Sequence, residues 1–444
     1  MNDHIEITEN LRARIEAELS EPQSLSEMEQ KLRRWMQRLG NLLLWGWLLW
    51  LSRAERKQEQ SCPHCGETAK YQRQRQGTLH TRFGTLRYRR GYYLCSSCRE
   101  GHYPLDDKLG LRPNAMSAEL ERLGALMGVQ MPFAQASDLL ADLTLIDLSD
   151  QSIAKATQAY GKVVDKTETQ RFEALSAPDT PSEVHAPRPV RLYGSLDGGR
   201  VQTRAAKGEP QPWRELKIGA WFQARGEPPK RADADWTIQA YDMTYFADVC
   251  AADDFGDIFW STGVDRGAEQ ATELIILGDG ARWIWELVDL HFPDAIQIVD
   301  WFHASEYLAP VAKQAFDDKA RRQQWLKRVR DNLWHGRLDA VIDACETHIR
   351  PHLAASDDPA QGAVTYYTNN RQRMDYPTYR ANGYQIGSGT IESAVKQIAS
   401  QRMKVSGARW NLSSARQVAK ARAAFLSGQW DTLANQREHL AKCA

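Results

Sequence analysis

Four of the seven cysteines stand in two C-x-x-C pairs, Cys62-Pro-His-Cys65 and Cys95-Ser-Ser-Cys98, with 29 residues between Cys65 and Cys95. Each pair can bend so that both thiolates meet one tetrahedral ion. The stretch GTLHTRFGTLRYRRGYYLC before the second pair alternates in runs that read as two or three short strands. Residues 61–112 are therefore expected to form a zinc ribbon, with Cys62, Cys65, Cys95 and Cys98 holding a structural Zn²⁺. The gap exceeds the roughly 15–20 residues usual between such pairs, so the hairpin must be extended. A redox C-x-x-C would not need a second copy. Cys250, Cys345 and Cys443 lack partner spacing and read as ordinary thiols.

The remainder of the chain has the composition of a soluble globular protein: 42% of its 444 residues are hydrophobic and 26% charged. At about 100–200 residues per domain, that length points to several domains. Lys plus Arg and Asp plus Glu both total 57, which excludes a polybasic nucleic-acid coat while permitting basic and acidic faces that cancel. The longest apolar run, LLLWGWLLWL from Leu42 to Leu51, falls short of the ~18 residues that a membrane span needs. It lies too far from the start, behind an acidic amphipathic stretch, to read as a secretory signal, so a cytoplasmic protein without membrane partners is expected. Within the N-terminal helical region, residues 1–60, this run is expected to belong to a buried or oligomer-forming helix. A membrane-surface helix would keep a strongly polar face, and none is present here.

Residues 113–173 return to a helical rhythm, with Ser117 and Ser149 as N-caps and a break at Met131-Pro132-Phe133. The short connection from about Thr144 to Leu148 fits a helix-turn-helix or any other helical hairpin. Residues 174–189, with four prolines, read as a linker. Three strands follow (VRLYGSLDGG, WRELKIGAWF, WTIQAYDMTYFA), then a helix from Asp254, a buried strand ELIILGDGA, a helix RWIWELVDLHF, and a strand AIQIVDWFHA running into a helix. Residues 304–380 are charged and helical, and a last helix starts near Ile391. The fold class is multidomain α/β.

Two strands are expected to end in an acid flanked by glycine, Ser195-Leu196-Asp197-Gly198-Gly199 and Leu277-Gly278-Asp279-Gly280-Ala281. Such glycines let a backbone or ligand come close, although Asp-Gly is also a common turn dipeptide. A third acid, Glu392, follows Gly387-Ser388-Gly389 in the first turn of a helix, where Lys396 is also placed to pair with it at i+4. Carboxylates on the first strand, the fourth strand and a late helix are the arrangement of an RNase H-like fold. Hard oxygen ligands there hold Mg²⁺ for phosphoryl transfer, two ions about 3.5–4 Å apart.

The strings SLDGGRVQTR, WRELKIGAWF, LGDGARWIW, FPDAIQIVDWFHASEYL and IGSGTIESAVKQ, followed by RMKVSGARW, resemble in colinear order the catalytic blocks of bacterial insertion-sequence DDE transposases of the ISKra type. The resemblance runs from about residue 60 to residue 430, cysteine pairs included. It implies an RNase H-like catalytic domain at 190–303 and 381–430, interrupted by an all-α insertion at 304–380 and preceded by the zinc ribbon and helical DNA-binding segments. It also implies Mg²⁺- or Mn²⁺-dependent DNA cleavage and strand transfer, with Asp197, Asp279 and Glu392 as the metal-binding triad. Asp300-Trp301-Phe302-His303 resembles the D-x-x-H signature shared with Mutator-like transposases. His303 is then a catalytic-site residue that positions a phosphate or flanking strand, or else a helix-start histidine bonded to nearby backbone. Asp300 is the rival to Asp279 and is left out of the triad.

Two basic surfaces fit a double-stranded DNA partner. Residues 61–115 hold ten Lys/Arg against four Asp/Glu. There Arg73, Arg75, Arg82, Arg87, Arg89 and Arg90 alternate with Tyr71, Phe83 and Tyr88, as expected where phosphates are neutralised. From Ser393 to Trp430 seven basic residues (Lys396, Arg402, Lys404, Arg409, Arg416, Lys420, Arg422) meet no acid. Asp248, Asp253, Asp254 and Asp257 read as a solvated acidic loop. Synapsis of two element ends makes a homo-oligomer the expectation. The competing readings are a domesticated, catalytically inactive DNA-binding regulator and a zinc-ribbon factor joined to an unrelated α/β enzyme. Intact acids with their glycines favour the enzyme.

Overall fold

Amphipathic helices and two separate sheets account for the architecture. The computed structural model describes residue 13 and residues 24–177, 188–205, 212–228, 236–354 and 356–443. Most of the first 23 residues and of the Pro-rich linker (178–187) lie outside the described residues. The chain divides into two compact units, Met1–Tyr160 with Asp431–Ala444, and Gly161–Trp430.

In the first unit, helix α1 (Leu25–Ala54) starts at Ser24, whose side chain accepts the Glu27 N–H. Strands β1 (Glu59–Ser61), β2 (Thr68–Thr81), β3 (Gly84–Cys95) and β4 (Gly101–His102) form an antiparallel ribbon, so the expected short strands are two long ones and two stubs. The 29-residue gap is filled by the β2–β3 hairpin. Helix α2 (Pro104–Leu109) and strand β5 (Ala115–Met116), paired parallel to β2, follow. Leu48, Leu79, Leu86, Tyr88 and Leu105 form the core between α1, the hairpin and α2. Helices α3 (Ala118–Gln130), α4 (Phe133–Thr144) and the start of α5 (Asp150–Ser176) pack around Leu120, Ala136, Leu140, Ile146, Leu148 and Ile153. Ser117 caps α3 through Leu120 N–H, and Ser149 accepts the N–H of Ser152, as their positions predict.

In the second unit, β6 (Arg191–Gln202), β7 (Trp213–Glu227) and β8 (Thr237–Asp248) form an antiparallel meander. After helix α6 (Ala252–Asp265), strand β9 (Glu273–Gly278) lies parallel to β6, and after helix α7 (Arg282–His291), strand β10 (Ile296–Val299) lies parallel to β9. The sheet order is β10-β9-β6-β7-β8. Short helices α8 (Trp301–Glu306) and α9 (Leu308–Ala315) lead into α10 (Lys319–Trp334), α11 (Leu338–Glu346), α12 (Pro359–Asn369) and α13 (Tyr376–Ala381). The last helical stretch is broken: α14 (Gly389–Val395) passes into a π-helical segment (Lys396–Met403), and α15 (Leu412–Leu426) begins after a loop. Helix α16 (Trp430–Cys443) ends the described chain. A continuous helix from Ile391 is thus corrected to three segments.

Asp248 also departs from expectation. It is 1% exposed, not solvated, and accepts from Arg416 Nε at 2.7 Å and lies 2.9 Å from Lys420 Nζ. Burial pushes its carboxyl up, but Arg416 and Lys420 hold it below its ordinary value. Lys420 is itself 1% exposed and also pairs with Glu168. Lys420 and Arg422 therefore belong to the interior and Arg416 is half-buried; strand β8 and helix α5 bring acids to Arg416 and Lys420, whereas Arg422 donates to the Gln397 carbonyl. Removing Lys420 leaves the buried Glu168 carboxylate without its pairing cation and Asp248 with Arg416 alone, a loss of about 3–5 kcal/mol. Lys420→Ala is expected to lower the calorimetric melting temperature by roughly 6–20 °C.

Candidate functional site

The four cysteines of the first unit converge. Cys62 Sγ lies 3.6 Å from Cys98 Sγ, and Cys65 Sγ lies 3.6 Å from Cys95 Sγ. All four sulfurs fall within 4.8 Å of one another. A disulfide needs sulfurs about 2 Å apart, whereas thiolates about 2.3 Å from one tetrahedral ion stand about 3.8 Å from each other. Both pairs make the same turn. Cys62 N–H donates to Glu67 O and Gly66 N–H to Cys62 O; Cys95 N–H donates to Glu100 O and Arg99 N–H to Cys95 O. The residue after each second cysteine is left-handed, Gly66 at φ 79° and Arg99 at φ 62°. Backbone N–H groups of Cys98 and Ser97 pull the Cys95 thiol down to about 6, whereas burial and the neighbouring thiols push Cys65 and Cys98 up. The cluster fits a structural Zn²⁺.

In the second unit the sheet brings acids together at one end. The β6–β9 pairing stops at Ser195↔Leu277, whereas β6 continues to Gln202 against β7. Asp197 therefore does not close a strand, as its Gly-Gly context predicts; it stands mid-strand, just where β6 outruns its parallel neighbour. Its Oδ1 accepts the Gly198 N–H. Gly199 leaves space for the π-helical segment, because a Cβ there would meet Ala399 at 3.1 Å. Asp279 follows β9, and its Oδ1 accepts the Ala281 N–H at 2.8 Å. Gly280 has φ +96°, and a Cβ there would lie 2.6 Å from the Tyr366 ring, whose hydroxyl donates to Asp279 O. Glu392 rises from α14, which packs on β6 and β7, and its Oε1 accepts from the Ser388 hydroxyl at 2.7 Å.

Asp300 and His303 complete the cluster. Asp300 is fully buried, caps α8 through the His303 N–H, and accepts the Ser388 N–H with its other oxygen. It so ties the end of β10 to the loop that carries Glu392. Ligand atoms of Asp300, His303 and Glu392 lie within 4.8 Å of one another, a possible metal-holding group. Each oxygen of Asp300 already accepts one backbone N–H. Asp197, Asp279 and Glu392, by contrast, each accept through a single carboxylate oxygen among the described residues. Burial, offset by the Gly198 N–H and reinforced by the charges of Asp279 and Glu392, pushes Asp197 up to about 6. The contact with Asp300, against the effect of burial, raises His303 to about 9, with Asp279 adding to the shift.

The proposed DNA-binding residues divide. Arg73, Arg87 and Arg89 are exposed. Strand alternation turns Arg90 inward, where it pairs with Asp106, itself bound by the Tyr88 hydroxyl at 2.9 Å. Arg75 stacks on Tyr92 and donates to the Tyr103 hydroxyl. Lys396, Lys404 and Arg409 are exposed, whereas Arg402 is 2% exposed beneath Trp410, and burial lowers it to about 10. Arg90 and Arg402 are therefore corrected from phosphate contacts to interior residues. Spacing shows a charge but not the partner, here Asp106 or Trp410, that draws it inward. Asp300 as a structural tie was likewise missed, although an acid three residues before the histidine at a helix start is an N-cap signal.

No protein-family model matches the chain, and no curated protein matches its sequence. Among the described residues no helix is long and apolar enough to cross a membrane.

Two outcomes are expected. Purified protein should carry one zinc per chain by elemental analysis, and Cys95→Ser should lose it and melt at lower temperature. The unfolded Asp197 carboxyl titrates near 3.8 and the folded one near 6, so the folded state keeps a proton that the unfolded chain loses. Stability therefore falls as pH rises between those values, and the full penalty is present above about pH 6. In a divalent-metal chelator Asp197→Asn should raise stability at pH 7.5 by about 1–3 kcal/mol, with the advantage vanishing near pH 3.5; an unchanged or lowered melting temperature at pH 7.5 would contradict a strained Asp197.

Proposed function

We propose that this protein is an insertion-sequence DDE transposase, with an RNase H-like domain that cleaves DNA and transfers its strands by metal-dependent phosphoryl transfer. The observation that carries the reading is the convergence of Asp197, Asp279 and Glu392, from a strand, a strand end and a helix far apart in sequence, at one end of the β10-β9-β6-β7-β8 sheet, with Asp197 sensing the charges of the other two. Two Mg²⁺ or Mn²⁺ ions held by these acids would activate the attacking oxygen and stabilise the leaving one. His303, on the neighbouring helix and pushed towards its cationic form, supplies a charge for a substrate phosphate. Asp300 positions Glu392 and His303. Exposed Arg73, Arg87 and Arg89 on the zinc hairpin, and Lys396, Lys404 and Arg409 beside the acids, supply phosphate contacts.

A homo-oligomer fits the outer face of α1. Leu32, Met36, Leu39, Leu43 and Trp50 recur at alternating four- and three-residue steps apart from the interval spanning Gly46, and all are exposed, as is Trp47. Leu48 on the opposite side is buried in the hairpin core. A second copy of the chain is the occupant of the exposed stripe in this reading, as synapsis of two DNA ends requires. The double variant Leu43→Glu/Trp47→Glu should shift the species seen by light scattering from dimer to monomer. A wild type that is monomeric, or that partitions onto lipid vesicles instead, would overturn this part.

The deciding experiment is divalent-metal-dependent nicking of a labelled element-end duplex. Asp197→Ala, Asp279→Ala and Glu392→Ala are expected to lose activity by at least about a hundredfold while retaining duplex binding. Asp300→Asn, which keeps one acceptor of the tie, is expected to retain reduced cutting. Binding by every form with cutting by none would favour the DNA-binding regulator.

A further inference from the structure

The helical insertion contributes a pocket that the acid cluster does not use. It encloses about 730 Å³ beside α8 and α10. That lies within the roughly 300–1,000 Å³ range of sites for ligands of drug size. One wall is apolar and aromatic: Trp301, Phe302, Trp334 and Ile386. Trp301 meets Trp334 edge to face at 5.1 Å and Phe302 at 5.3 Å, and Arg380 stacks on the outer Trp334 ring at 3.7 Å. This array fixes the rings, while Phe302 remains 60% exposed. The other wall carries cations from one face of α10, Lys327, Arg328 and Arg330. The carboxylate at the pocket, Asp331, is engaged by Arg337 at 2.6 Å and by His335. Trp301 Nε1 and Arg330 Nε are buried without an acceptor among the described residues. The pocket therefore offers ring faces and hydrogen-bond donors, which suits a flat, acceptor-rich ligand tied to an anion.

The pocket is joined to the acid cluster. Phe302 immediately precedes His303, and a Cβ on Gly387 would lie 2.9 Å from its ring. Ile386 accepts the Trp301 N–H through its carbonyl, and two residues later Ser388 bonds both Asp300 and Glu392. We propose that this pocket takes an unstacked nucleobase from the DNA strand whose phosphate lies at the acids, with Phe302 and Trp334 stacking on the base and Lys327 and Arg328 meeting the adjoining phosphates. The inference rests on the reading of the acid cluster as acting on DNA. Aromatic stacking of this kind tolerates any base, because every base has a π-face. Extrusion costs least where a base is already unpaired.

The test uses the full chain in a metal chelator, so that no cleavage is needed. Fluorescence anisotropy compares a fully paired duplex with one that carries a bulge of unpaired thymines. Wild type should bind the bulged duplex about five- to a hundredfold tighter, the range expected for one or two stacked bases. Phe302→Leu, which keeps the apolar contact with Gly387 but removes the ring, should lose most of that preference. Lys327→Gln should weaken both duplexes alike. Equal binding of the two duplexes by wild type, or an undiminished bulge preference in both Phe302→Leu and Phe302→Ala, overturns the pocket. Nicking of the paired duplex in Mg²⁺ is measured alongside. Asp197-dependent nicking without a bulge preference removes the pocket and leaves the acid cluster standing. A bulge preference retained by Asp197→Asn, with no nicking by wild type, supports the pocket and removes the catalytic reading.

Discussion

Crowding of like charges at one end of a sheet is the constraint around which the second unit is arranged. Parallel pairing of β9 with β6 ends at Ser195↔Leu277, which leaves Asp197 beside the exit of β9, where Asp279 emerges. Two carboxylates and a third on α14 then share a partly desolvated space, and the fold meets their repulsion with short-range hydrogen bonds. Gly198 and Ala281 N–H groups and the Ser388 hydroxyl each hold one acid oxygen. The imbalance that remains shows in Asp197, pushed up to about 6, and in His303, raised to about 9 through Asp300. A site that strains its acids in the absence of a counter-ion is one in which a divalent cation gains most by binding.

The first unit solves a different problem by repetition. Its long hairpin has a narrow core, and the strand ends opposite the Thr81–Gly84 turn are closed by two copies of one turn, each ending in a left-handed residue. Cys62, Cys95, Ala69 and Tyr93 are packed together there, so a metal at the four sulfurs would fasten the open end of the ribbon. The fourteen residues of β2 and twelve of β3 explain why the cysteine pairs stand so far apart.

Local periodicity was enough to place most helices and strands, the two Ser N-caps and the four-cysteine cluster, since each depends on neighbours within a few positions. What it did not show depended on partners remote in sequence. The continuation of β6 past Asp197 is decided by β7, not by the glycines. Arg90 and Lys420 have the composition of surface cations, yet Asp106 in one case and Asp248 with Glu168 in the other draw them inside. The π-helical segment in the last helical stretch likewise lies where Ala399 closely approaches Gly199, a contact between residues two hundred positions apart. π-helical turns of this kind recur at functional sites.

The choice between Asp279 and Asp300 illustrates how proximity and availability differ. Distance alone groups Asp300 with His303 and Glu392. Yet Asp300 is wholly buried, and both its oxygens accept backbone N–H groups from separate elements. Loss of that carboxylate would orphan both N–H groups and cut the tie between β10 and the Glu392 loop. Asp279, half-buried, accepts through one oxygen from its own turn, and the titration of both Asp197 and His303 registers its charge. A carboxylate can hold a mobile substrate or ion only if it is not already required to hold the protein. By that measure Asp197, Asp279 and Glu392 are each tied to the protein through one oxygen and Asp300 through both.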